Sequence, residues 1–81
     1  MNIKIKISGK NYNNIITTMI VMERLKTILC DIYIGMKISR QEDIITLILP
    51  EEISDENGGI IGLKEMISAE FEMIAKLTFI E

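Results

Sequence analysis

Residues 3–7 alternate without a break, with Ile3, Ile5 and Ile7 on one side and Lys4 and Lys6 on the other. Period-two alternation predicts a half-buried strand. Ser8-Gly9-Lys10-Asn11 follows as a turn, and Asn13 or Asn14 can cap a helix. Ile15, Met19, Met22 and Leu29 then fall on one helical stripe, flanked by Ile16 and Leu25, which predicts that this side faces the core. The other side carries Asn13, Thr17, Arg24 and Thr27, but also Ile20, Val21 and Ile28, so the helix is apolar beyond one face.

The period changes again after Asp31. Ile32, Ile34, Met36 and Ile38 alternate with Tyr33, Gly35, Lys37 and Ser39, which predicts a second strand. Residues 39–43 read as a polar turn. Residues 44–49 form a strand ended by Pro50, with Ile45, Leu47 and Leu49 on one face and Ile44 and Ile48 on the other. A strand apolar on both faces belongs inside a sheet. An acidic loop runs from Glu51 to Gly59. A second helix is expected over residues 61–75, with Leu63, Ile67, Phe71 and Ile74 inward and Glu72 and Lys76 paired at i,i+4 outside.

The expected fold is therefore a two-layer α+β domain, β-α-β-β-α(-β), spanning residues 1–81. Placing residues 44–49 between the other two strands gives a spatial order 1-3-2 with antiparallel neighbours. That is the split β-α-β arrangement of ferredoxin-like sheets, with both helices on one face. Residues 76–81 supply a fourth strand only if Leu77 and Phe79 leave the helix, and no turn residue marks such a break.

Composition narrows the chemistry more than the fold. Nineteen of the 81 residues are isoleucine, and 48% of the chain is apolar. A domain this small buries only about 60–65% of its unfolded surface. Surplus apolar surface predicts a homo-oligomer, with Ile20, Val21, Ile28, Ile44 and Ile48 as the interface. The longest apolar run is Met19–Met22, far short of a membrane span. The lone Cys30 and an N-terminus that reads as a strand point to the cytoplasm. With no histidine, no thiol pair and no nucleotide-binding spacing around Gly58, Gly59 and Gly62, neither an enzyme nor a cofactor or metal is expected.

Charge is divided unevenly. Residues 1–40 carry seven Lys and Arg against two acids, and residues 41–81 carry two against ten. Glu51, Glu52, Asp55, Glu56, Glu65 and Glu72 are expected to form an acidic partner-binding surface. The function this suggests is a small non-catalytic inhibitor or regulator that presents acids to a basic partner such as a nucleic-acid-handling enzyme. Phages and other mobile elements use such anti-defence proteins. Two alternatives stand beside it: a regulatory domain that binds a small molecule, and a direct nucleic-acid binder using Lys4, Lys6, Lys10, Lys37 and Arg40.

Overall fold

A computed structural model describes residues 1–49 and 59–80. Six elements follow in order: β1 (Asn2–Gly9), α1 (Asn14–Leu29), β2 (Lys37–Gln41), β3 (Ile44–Ile48), α2 (Gly59–Phe71) and β4 (Ala75–Ile80). The strands make one sheet in the order β2-β3-β1-β4, and each neighbouring pair is antiparallel. The expected 1-3-2 order is present, and β4 extends it on the far side of β1. The molecule is an α+β fold, a four-stranded antiparallel sheet with two helices.

The core forms where the period-two and helical patterns meet. Ile3, Ile5 and Ile7 of β1 and Ile45 and Leu47 of β3 are buried on one face of the sheet. Val21, Leu25 and Leu29 of α1 and Leu63, Ile67 and Phe71 of α2 close over that face in the same cluster. Among the described residues, the opposite face carries no helix. Each buried aliphatic side chain contributes roughly 1.5–3 kcal/mol of transfer free energy.

Helix α1 buries Leu25 and Leu29 from the side its stripe predicts, but Thr17, Thr18 and Val21 take the place of Ile15 and Met19. Thr17, Thr18, Val21, Leu25 and Leu29 face the sheet, while Ile15, Ile16, Met19 and Ile20 are exposed. Apolar residues surround this helix, so its period does not select a face. The two threonines enter the core because their hydroxyls are satisfied within the helix. Thr17 Oγ1 donates to Asn13 O at 2.9 Å, and Thr18 Oγ1 to Asn14 O at 2.6 Å. Asn13 caps the helix as expected, accepting from Ile16 N at 2.9 Å.

Two other boundaries differ. Residues 30–36 are turns rather than strand, with Ile34 85% exposed, and β2 begins only at Lys37. Tyr33 and Met36 still pack against the core from that segment. The β2–β3 hairpin turns on Glu42 and Asp43 alone, with φ 56° at Glu42. Helix α2 ends at Phe71, so Glu72 and Lys76 are not a helical pair. Ile74 N donates to Phe71 O at 3.0 Å and Lys10 N to Ile74 O at 2.9 Å, which closes the turn and sends residues 75–80 back as β4.

Candidate functional site

Register determines which side chains share the open sheet face. Asn2, Lys4 and Lys6 of β1 stand opposite Ile48, Thr46 and Ile44 of β3. Those in turn stand opposite Lys37, Ser39 and Gln41 of β2. On the other flank, Lys4, Lys6 and Ser8 stand opposite Ile80, Thr78 and Lys76 of β4. Successive residues alternate faces, so these positions project away from the helices. All of them are exposed except the half-buried Ile44 and Thr46.

This face therefore carries Lys4, Lys6, Lys37 and Lys76, and none of its strand positions is acidic. Lys4 and Lys6 lie about 6.7 Å apart along β1, at roughly 3.3–3.4 Å per residue. Hydroxyls of Ser8, Ser39, Thr46 and Thr78 lie among them. Among the described residues, one acid at the border of the face is paired with a lysine on it. Asp43, in the hairpin turn, accepts from Lys6 Nζ at 2.7 Å and from Asn14 Nδ2 at 3.3 Å. The Lys6 ammonium holds the Asp43 carboxyl below its ordinary 3.8, against a smaller opposing effect of desolvation.

The basic residues anticipated for nucleic-acid contact separate into three places. Lys4, Lys6 and Lys37 share the open face. Arg40 stands opposite Ile45, on the helix-side parity, and donates to Glu42 O at 2.8 Å. Lys10 donates through Nζ to the carbonyl of Glu72 at the end of α2. Lys76 was missed because its segment had no assigned strand. Alternation across Ala75–Ile80 would have placed it.

The expected acidic surface is only partly described. Glu51, Glu52, Asp55 and Glu56 lie outside the described residues. Glu65 and Glu72 are both exposed on α2 or just beyond it, where Lys10, Lys64 and Lys76 line the same groove. Glu70 is paired with Arg24 of α1 at 2.9 Å, and Glu23 with Lys26 at 3.3 Å. Among the described residues, acids are interleaved with bases rather than gathered.

The anticipated oligomer residues also divide. Val21 is fully buried and belongs to the core, which corrects its assignment to an interface. Ile20 lies in the exposed apolar row of α1, with Ile28 half-buried farther along that helix. Ile44 and Ile48 are on the open sheet face, across the molecule from α1. The five do not make one patch. No helix among the described residues is long and apolar enough to cross a membrane, and no group of three His, Cys, Asp or Glu among them could hold a metal ion.

No protein-family model matches the chain, and no curated protein or solved structure matches it.

Proposed function

We propose that the chain is a non-catalytic binding module whose open sheet face holds a single-stranded nucleic acid through its phosphates. The observation that carries this reading is the segregation of Lys4, Lys6, Lys37 and Lys76 onto one exposed face without an acid on its strands. Lysine ammonium groups and Ser or Thr hydroxyls are the usual donors to phosphate oxygens. The face has no aromatic residue on which bases could stack, so contact is with the backbone and independent of sequence.

The test is binding to an oligo(dT) strand by fluorescence anisotropy over a salt series. With Lys6 held by Asp43, phosphate contacts from Lys4, Lys37 and Lys76 give a slope of log K against log salt of about −2 for a single strand. Lys4→Glu with Lys76→Glu should remove binding while the circular dichroism spectrum stays native. No binding at low salt, or binding that the double variant retains, would overturn the reading.

Inhibition of a basic partner through acids is the second reading. The ten acids against two bases in residues 41–81 favour it. Capture of a basic partner that survives neutralisation of the sheet lysines would select it, and an origin in a phage or other mobile element fits that role alone. The expected homo-oligomer would draw on Ile15, Ile16, Met19 and Ile20, which remain uncovered on α1. Light scattering tests it.

The element order β-α-β-β-α-β with strands ordered β2-β3-β1-β4 supports the ferredoxin-like assignment of the fold. An exposed lone Cys30 is compatible with a reducing cytoplasm.

A further inference from the structure

Among the described residues, strand β4 is an edge strand, bonded to β1 on one side only. Its hydrogen-bonding phase follows from a single contact. Lys10 N donates to Ile74 O at 2.9 Å, so residues 10 and 74 face each other as a hydrogen-bonded pair. Such pairs recur every second residue in an antiparallel ladder. Lys76, Thr78 and Ile80 therefore bond inward to Ser8, Lys6 and Lys4, and Ala75, Leu77 and Phe79 turn their N–H and C=O groups to the free edge.

The side chains of those same three residues face the helix layer. Ala75 is buried, and Leu77 and Phe79 pack partly against the core. Between them and α2 lies a groove of about 580 Å³. Its walls include Ser68 and Ala69 of α2, and also Lys76, which points to the opposite face of β4. A groove lined from both faces of an edge strand opens onto that strand's free backbone. Lys64 Nζ sits 5.4 Å from the centre of the Phe79 ring. Lys10, Glu65 and Glu72 join it among the lining residues, so the groove itself carries both signs and the charge preference comes from Lys76 on the other face of the strand.

We propose that β4 and this groove bind an extended peptide of another protein by strand addition, one in which apolar and acidic residues alternate. Backbone bonds to Ala75, Leu77 and Phe79 supply affinity, and alternate side chains supply specificity. Apolar side chains of the peptide enter the groove beside Leu77 and Phe79. Acidic ones project to the other face, beside Lys76 and near Lys6. A second copy of this chain fits less well, because its own Lys76 would add to a face that already holds Lys4, Lys6 and Lys76. This site shares Lys76 with the open sheet face, but its free backbone edge and groove do not rest on nucleic-acid binding there.

The experiment is a titration of the full chain with the peptide acetyl-Glu-Val-Glu-Ile-Glu-Val-Glu-amide, followed by amide NMR. The expected result is shifts concentrated at Ala75, Leu77 and Phe79, with slowed exchange of those amides. Methylating alternate peptide nitrogens should weaken binding at least tenfold, and exchanging Glu for Lys in the peptide should do the same. Leu77→Pro removes an outward N–H without touching the bonds to β1, so it should also cost at least tenfold. If that variant does not fold, the methylated peptide on the native chain decides. No shift at the β4 edge, or equal binding of the methylated peptide, would overturn the proposal. So would protection of those amides by self-association of the protein alone.

Discussion

Lys6 Nζ lies 2.7 Å from Asp43 Oδ2, which ties the middle of β1 to the hairpin turn 37 residues away in the chain. The backbone repeats the connection, since Ile7 N donates to Asp43 O at 2.8 Å. Asn14 extends it by donating to Asp43 and accepting from Gly9 N at 2.9 Å. One carboxylate thus joins the hairpin, the end of β1 and the start of α1.

That carboxylate predicts a specific pH dependence. Its folded pKa lies below the ordinary 3.8, chiefly through the hydrogen bond from Lys6. A depressed carboxylate contributes stability that is complete above the ordinary value and lost as pH falls through the folded one. Asp43 should therefore titrate below 3.8 when its side-chain carbon shift is followed by NMR. In Lys6→Met the midpoint should move upward toward that value. An unchanged midpoint would mean that the ion pair does not form in solution.

Helix α1 makes a prediction that its sequence alone would have reversed. Val21 is fully buried and Met19 is 49% exposed. Val21→Ala should cost about 1–3 kcal/mol in urea unfolding. Met19→Ala should stay within about 0.5 kcal/mol, as surface substitutions do. Equal costs would place the helix on the sheet by its predicted stripe instead.

The contrast shows what the sequence could and could not specify. Strands β1 and β3 were legible because lysines or core aliphatics mark their alternation. In α1 the exposed Ile15 and Met19 have the same polarity as the buried Val21 and Leu25, while Thr17 and Thr18 are polar yet buried. Their hydroxyl bonds to Asn13 and Asn14 remove the cost of burial, and no periodicity records that. Strand β4 was hidden because Glu72-Met73-Ile74 contains no turn former. Its turn is held by a bond to Lys10, which is 64 residues away in the chain. The lysine face was half legible: Lys4 and Lys6 shared a strand face from the start, but Lys76 and Lys37 joined it only through register.

Gly9 is required by space rather than by dihedral freedom. A Cβ there would lie 2.2 Å from Tyr12 O and 2.5 Å from Thr17 Oγ1. The first is backbone and cannot rotate away, and the second already bonds to Asn13 O. Gly9→Ala must push the β1–α1 connection off the sheet. It should cost about 1–3 kcal/mol, seen as a lower urea midpoint, with faster amide exchange at Thr17 and Thr18. A neutral effect would show that the connection yields freely.

Glu42 offers the opposite case, a position where substitution should help. It is the first central residue of the two-residue turn between β2 and β3, and its φ is 56°. Two-residue hairpins demand positive φ at this position, and glycine is the residue that adopts it without a steric penalty. A side chain held there costs roughly 1–2 kcal/mol. Glycine relieves that strain but adds freedom to the unfolded chain, which offsets part of the gain. The Glu42 side chain is exposed and its carbonyl, which accepts from Arg40, is retained in the variant. Glu42→Gly should therefore stabilise the protein by about 0.5–1 kcal/mol in urea unfolding. It should leave the amide shifts of Ile44 to Ile48 nearly unchanged, since the register with β1 is set by Lys6 opposite Ile44 and not by the turn. Destabilisation would mean that the hairpin closes through a different turn in solution.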